Sequence, residues 1–68
     1  MQKKSATQVL KDMIMLLTEY LTELSNSDST EFVYGEQTAY VECLEWIQAW
    51  EHAEENGLDF DVEKRFPL

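Results

Sequence analysis

Apolar residues in the first third of the chain recur every three or four positions. This spacing predicts an amphipathic helix over about residues 7–24, with Ser5 or Thr7 as its N-terminal cap. The stripe is formed by Leu10, Met13, Ile14, Leu17, Tyr20, Leu21 and Leu24, with Val9 and Leu16 beside it. The carboxylates Asp12, Glu19 and Glu23 fall together on the opposite side of this helix.

The next six residues, 25–30, are all small and polar, which is typical of a turn between two elements. Thr30 can cap a second helix, and Asp28 with Glu31 three positions later can form a pair similar to a capping box. Because a connection this short joins neighbouring helices, the two helices are predicted to run antiparallel.

A second, longer helix is predicted over about residues 30–56. Gly57 is the residue type that most often ends a helix, and Leu58 supplies the hydrophobic contact that accompanies such an end. Gly35 lies inside this stretch, where glycine costs about 1 kcal/mol relative to alanine. The sequence therefore leaves open a helix that begins at Gly35, with residues 32–34 extended.

The apolar residues of the second helix cover a wide arc. One stripe consists of Tyr40, Leu44 and Ile47, and the stripe beside it of Ala39, Cys43, Trp46, Trp50 and Ala53. Together they span roughly half of the circumference, more than the ~100° of a helix with one packed face. The surplus apolar surface must therefore be covered by something else. Tyr34 and Val41 are predicted on the outer side, as candidates for exposed partner contacts.

Two covers for this surplus fit the sequence. The tail, residues 57–68, can pack back as an extended segment or as a short helix capped by Asp59 or Asp61. A second copy can instead cover it, so that two hairpins form a four-helix bundle through Trp46 and Trp50. The expected fold is an all-α, antiparallel helical hairpin of two unequal helices with a C-terminal tail packed back, and a homodimer is its possible assembly.

Length and composition agree with this fold. A chain of 68 residues with 44% hydrophobic content predicts one domain, residues 1–68, near the lower size limit for a single core. The densest apolar run, residues 13–17, is far too short for a membrane span, and no signal peptide is recognisable. A cytoplasmic protein is expected, and its net charge of −9 argues against direct binding to nucleic acid or to a membrane.

Charge is distributed very unevenly along the chain. All fourteen carboxylates lie between Lys11 and Lys64, and no lysine or arginine lies among them. This pattern predicts a negative surface offered to a basic protein, although high charge that merely keeps a small protein soluble explains it as well. The carboxylates predicted to bind the partner are Asp12, Glu19, Glu23, Glu31, Glu42 and Glu45.

The sequence contains no recognisable catalytic or metal-binding motif. The one histidine, His52, has Ala49 rather than glutamate three residues before it, so the Glu-x-x-His motif of di-iron bundles is missing. Cys43 is predicted in the apolar core, nine residues from His52 and on another side of the helix. No glycine-rich phosphate loop is present. We expect neither enzymatic activity nor a cofactor nor a metal.

Residues 34–48 and the ending, residues 57–68, resemble small acidic helical proteins, largely uncharacterised, of Gram-positive bacteria and their phages. The resemblance covers the C-terminal half of the chain and implies no activity and no site residues. It implies a setting, a phage or mobile element, in which small acidic proteins often inhibit host defence.

Two functions follow as hypotheses. The first is an inhibitor or regulator that docks on a basic nucleic-acid-binding protein, such as a nuclease, in the manner of an anti-CRISPR or other nucleic-acid mimic. The second is a structural or assembly module that acts through an apolar self-association surface.

Overall fold

The computed structural model describes residues 2–68, and its regular elements are helices. Helix α1 spans Ala6–Ser25, α2 spans Glu31–Gln48, a 3-10 turn spans Glu54–Asn56, and the short α3 spans Val62–Arg65. Residues 2–68 contain no strand. The prediction of an all-α fold with two long helices is confirmed.

Side chains cap both long helices at their N-termini. The Ser5 hydroxyl accepts a hydrogen bond from the Gln8 backbone N–H at 3.2 Å, and the Gln8 side chain accepts one from the Ser5 N–H at 3.3 Å. The Thr30 hydroxyl accepts from the Val33 N–H at 3.1 Å, so Thr30 caps α2 rather than Asp28. Each bond satisfies a backbone donor that the first helical turn leaves free.

Gly35 lies within α2, and α2 continues through it without interruption. The alternative in which the helix begins at Gly35 is therefore wrong. An added Cβ at this position would meet no atom within 4 Å.

Helix α2 is shorter than predicted, because it ends at Gln48 instead of continuing to residue 56. After it the chain turns tightly, with Ala53 donating to the Trp50 carbonyl at 3.0 Å. The 3-10 turn then ends at Gly57, whose φ of 111° lies in the left-handed region that favours glycine. A straight helix through residue 56 would be about 40 Å long and would extend past α1, which is about 30 Å long. The turn instead brings Leu58 back into the core.

The core consists of ten buried apolar side chains contributed by every part of the fold. They are Ile14, Leu17 and Leu21 from α1, Val41, Leu44 and Ile47 from α2, and Ala53, Leu58, Val62 and Phe66 beyond it. No polar side chain is buried among the described residues. The tail thus packs back on the hairpin, which is one of the two ways in which the surplus apolar surface was predicted to be covered.

Of the two predicted forms of the tail, an extended segment or a short helix, the tail adopts the short helix. The Asp61 carboxylate accepts hydrogen bonds from the backbone N–H groups of Glu63 at 3.0 Å and Lys64 at 3.3 Å, and so begins α3. The Arg65 guanidinium lies 4.6 Å from the centre of the Phe60 ring, which in turn packs edge-on against Phe66. These contacts fix the last turn of the chain against the core.

The buried side of α2 differs from the predicted one. Val41, predicted to face outward, is only 2% exposed, whereas Cys43, predicted in the core, is exposed. Trp46, predicted at a self-association surface, is exposed as well. The reason is the position of the tail, since Val41 and Phe66 line the same cleft. Covering that side of α2 buries Val41 and leaves the stripe of Cys43 and Trp46 open.

Of the helices in residues 2–68, none has the length and apolar character that crossing a bilayer requires.

Candidate functional site

The tail occupies one face of the hairpin. Ile14 and Thr18 of α1 line a cleft with Phe60, and Val41 of α2 lines another with Phe66. The opposite face has no covering element among the described residues, and it is the main candidate for an interaction surface.

This open face carries an apolar strip formed by both long helices. The strip consists of Val9, Met13, Leu16 and Tyr20 on α1 and of Phe32, Ala39, Cys43 and Trp46 on α2, all of them exposed. At about 100° per residue, the four side chains of each helix lie within an arc of about 60°. The centre of each arc lies about 130–170° around its helix from Ile14 and Thr18 of α1 and from Val41 of α2, which line the clefts with the tail.

Contacts between two tyrosines join the two halves of the strip. The rings of Tyr20 and Tyr40 lie 5.7 Å apart, centre to centre, with an angle of 40° between their planes. Both line a cleft of about 240 Å³ between α1 and α2, together with Leu24. The strip therefore continues across the junction of the helices.

Two aromatic side chains on the strip are almost fully solvated. Trp46 is 82% exposed and Phe32 is 75% exposed. Side chains of this size bury roughly 150–250 Å² each when packed, so these two alone expose roughly 350 Å². These two side chains mark the two ends of the strip on α2, about 21 Å apart, and the exposed residues between them extend the apolar surface along the helix.

The six carboxylates predicted to bind a partner fall into two groups, one on each side of the strip. Asp12, Glu19 and Glu23 form the α1 flank, and Glu31, Glu42 and Glu45 form the α2 flank. Each group lies within an arc of about 60° on its helix, on the side away from the other helix. Asp12 and Glu19 also line the cleft that Phe60 and Arg65 form on the tail side. The structure thus does not bring all six into one patch.

The cleft at the helix junction also brings carboxylates from both helices together. Glu23 of α1 and Glu36 of α2 line it beside Tyr20 and Tyr40. Glu36 was not among the predicted partner-binding residues, because its position relative to α1 depends on how the helices are packed.

Most of the flank carboxylates have no cationic partner. Lys4 contacts Asp12 at 2.6 Å, and this is the one ion pair between a carboxylate and a lysine or arginine in residues 2–68. The remaining flank carboxylates, Glu19, Glu23, Glu31, Glu42 and Glu45, are exposed and unpaired within the described part of the chain. Their negative charge is available to a partner.

The two predicted self-association residues have different surroundings. Trp46 lies on the strip, but Trp50 is half-buried against the core, and its ring meets His52 edge-on at 5.7 Å. Trp46 is therefore the more accessible of the two to a second protein. Val9, Met13, Leu16 and Phe32 were missed as exposed contacts, although the width of the apolar stripe on α1 indicated more apolar surface than one partner helix covers.

The remaining candidate groups for chemistry lie apart from one another. Cys43 is exposed on the strip, while His52 follows α2 and contacts Glu55 at 2.9 Å and Glu51 at 3.4 Å. In residues 2–68 no three histidine, cysteine or carboxylate side chains are placed to hold a metal ion. The expectation that the chain is not an enzyme stays a prediction.

Comparison of the chain with protein-family models, with curated proteins and with solved structures finds no match. A functional interpretation therefore depends on the residues and their arrangement. The apolar strip and its two acidic flanks are the feature of this fold that such an interpretation has to explain.

Proposed function

We propose that this protein is a non-enzymatic, acidic interaction protein that docks on a basic nucleic-acid-binding protein and inhibits or regulates it. The observation that carries the proposal is the set of five unpaired carboxylates beside an exposed apolar strip. Apolar contact supplies affinity, and charge complementarity selects the partner and accelerates association.

Charge that serves solubility alone accounts less well for this arrangement. A solubilising charge works from any exposed position, and it does not require an exposed tryptophan or phenylalanine between the charged groups. The co-occurrence of acidic flanks with an apolar strip is typical of a protein interface, which has an apolar centre and a polar rim.

The spacing of the flank carboxylates bears on whether the protein would imitate the charges of a nucleic acid. The α1 flank places three carboxylates along twelve residues, ~8 Å apart on average along the helix axis, whereas duplex DNA carries one charge per ~1.7 Å. Strict imitation of a nucleic-acid backbone is therefore less well supported than docking on a basic protein surface. In the phage setting that the sequence resemblance implies, such docking would be an anti-CRISPR-like inhibition of a nuclease.

Charge reversal tests the proposal with a matched control. The test variant carries Glu19→Lys, Glu23→Lys and Glu42→Lys; the control carries Glu51→Lys, Glu54→Lys and Glu63→Lys. Both variants change the net charge equally, but all three control positions lie outside the strip and its flanks, after the end of α2.

The measurement is capture of partners from a Gram-positive host lysate by immobilised protein at about 0.1 M and about 1 M salt, followed by mass spectrometry. We expect the unmodified chain and the control to retain nucleic-acid-binding proteins at low salt, and the test variant to lose them. Equal capture by both variants would show that the flanks do not recognise a partner.

A structural module that assembles through self-association is the second candidate, because Trp46 is 82% exposed. Sedimentation equilibrium of the unmodified chain and of Trp46→Ser tests it. A dimer that Trp46→Ser dissociates would favour this candidate, whereas a monomer in both cases would eliminate the strip as a self-association surface.

A further inference from the structure

We propose that the apolar strip is the docking groove for a single amphipathic α-helix of a partner protein, about fourteen residues long, with basic side chains along both edges of its apolar face. This inference rests on the proposed function and narrows its partner to one kind of segment. The occupant follows from the dimensions of the strip, its charge and the cleft at the helix junction.

The dimensions of the strip match one helix. On α2 it extends from Phe32 to Trp46, fifteen residues, whose Cα atoms span about 21 Å at 1.5 Å per residue. Packed helices lie about 8–10 Å apart, so the surface between α1 and α2 accepts one further helix that rests on both. Apolar side chains spaced three and four positions apart on that helix would contact both halves of the strip.

The charge on both sides of the strip defines the edges of the occupant. A helix lying on the strip has the α1 flank along one edge and the α2 flank along the other. Lysine and arginine at those edges would pair with carboxylates that have no partner in the described residues, such as Glu19 and Glu42. A neutral apolar helix would leave these pairings unmade.

A second copy of this chain fits the same surface poorly. Two copies packed strip to strip would place acidic flanks against acidic flanks, and each copy carries a net charge of −9. Within residues 2–68, Lys4 is the one lysine or arginine that forms an ion pair with a flank carboxylate, and its partner is Asp12. Like charges in this arrangement repel each other, so a basic helix is favoured over a copy of the same chain.

The cleft at the helix junction provides a place for one basic side chain. Tyr20 and Tyr40 supply aromatic rings, and Glu23 and Glu36 supply carboxylates, around a volume of about 240 Å³. A guanidinium or ammonium group is the ligand that such a combination attracts, through cation–π contact and charge-assisted hydrogen bonds. The bound helix is therefore expected to place an arginine or lysine in this cleft, beside the two tyrosine rings and within reach of both carboxylates.

A synthetic peptide serves as the probe. It is a fluorescently labelled helix-forming peptide of about eighteen residues, with leucines along one face and arginines along both edges of that face. The first control peptide has glutamates in place of the arginines, and the second has the same composition with the face scrambled. Fluorescence anisotropy with the full chain measures binding.

The chain offers a matched pair of variants for this titration. Trp46→Ser removes an exposed aromatic side chain from the strip, and Tyr34→Ser removes an exposed one from α2 outside the strip. Since a tryptophan anchor that becomes buried in an interface typically contributes about 2 kcal/mol, Trp46→Ser should weaken binding about 30-fold, and Tyr34→Ser by less than about threefold. Glu23→Gln with Glu36→Gln should weaken it as well, and less at about 1 M salt than at about 0.1 M.

Cys43 reports the location of the bound peptide. It is the one cysteine of the chain, and its thiol is exposed on the strip. Bound peptide should slow its alkylation by iodoacetamide in proportion to occupancy, whereas the glutamate peptide should leave the rate unchanged.

Three results would overturn the inference. The first is equal peptide affinity of Trp46→Ser and Tyr34→Ser, and the second is alkylation of Cys43 at an unchanged rate under saturating peptide. The third is a dimer that Trp46→Ser dissociates and that excludes the peptide, because a second copy would then be the occupant.

These results are separable from the outcome of the charge-reversal experiment. If strip variants leave peptide binding intact while charge reversal abolishes partner capture, the proposed function stands without this groove. If neither set of variants has an effect, both proposals fail.

Discussion

Replacing Val62 by alanine tests how strongly the tail is packed on the hairpin. Val62 lies in α3, is completely buried, and belongs to the same core as Leu44 of α2. The substitution removes two methyl-sized groups, which is about 1.6 kcal/mol at ~0.8 kcal/mol per buried group, and the cavity left behind raises the cost. We expect a total loss of about 2–2.5 kcal/mol.

This loss is large for a chain of this length. At ~0.05–0.15 kcal/mol per residue, the whole free energy of unfolding is roughly 3–10 kcal/mol. Urea unfolding followed by far-UV circular dichroism measures it, and with a slope of about 1 kcal/mol per molar the midpoint should fall by about 2 M.

Two further variants calibrate the measurement. Glu63→Ala changes the neighbouring, exposed residue of α3 and should alter stability by less than about 0.5 kcal/mol. Leu44→Ala creates a cavity at a completely buried position of α2 and should cost about 3 kcal/mol. Val62→Ala could unfold at the same midpoint as Glu63→Ala while Leu44→Ala is strongly destabilised. In that case the tail would not be packed against the core.

The same unfolding assay checks four further predictions. Gly57→Ala should destabilise the protein by about 1–2 kcal/mol, because φ at this position is 111°. Gly35→Ala should stabilise it by about 0.5–1 kcal/mol, because Gly35 is helical and has free space around it. A change of the opposite sign in either variant would contradict the backbone conformation described for that glycine. Thr30→Ala should cost about 1 kcal/mol through loss of the α2 cap, and a neutral result would mean that water replaces it fully. Lys4→Ala should cost less than about 0.5 kcal/mol, because its pair with Asp12 is exposed; a larger loss would show that the pair orders the start of α1.

The parts of the fold that depend on neighbouring residues could be predicted from the sequence. Helix α1 was predicted over residues 7–24 and spans Ala6–Ser25, and both Ser5 and Thr30 were among the predicted caps. Helical periodicity and capping act over three or four residues, so the sequence contains the information they need.

The end of α2 depends on the rest of the molecule. Its apolar pattern continues past Gln48, and Ala53 lies at a helical spacing from Trp46 and Trp50. A longer helix fails because α1 offers no surface beyond its own length, and the turn gains burial of Ala53 and Leu58. The relative length of two packed elements is a tertiary property, and periodicity does not report it.

Which half of a wide apolar arc becomes buried is decided by the third element. On α2 both Val41 and Cys43 were available to the core, and the tail packs on the side of Val41. The carboxylates illustrate the same limit. Their grouping on each helix follows from helical spacing and was predicted, whereas the placement of the two groups on either side of the strip follows from the way that α1 and α2 face each other.

The apolar strip and its acidic flanks act together, because neither apolar contact nor charge alone distinguishes one partner from another. Apolar contact attracts any apolar surface, including a second copy of this chain, so Trp46 and Phe32 alone would promote aggregation. Charge alone attracts any cation, and at physiological ionic strength it acts over only about 8 Å. Since the strip is about two helices wide, a segment lying on it stays within roughly that distance of both flanks. Under the proposed function, only a partner that is apolar in the middle and basic at both edges would satisfy both conditions, and this combination would give a chain of 68 residues its selectivity.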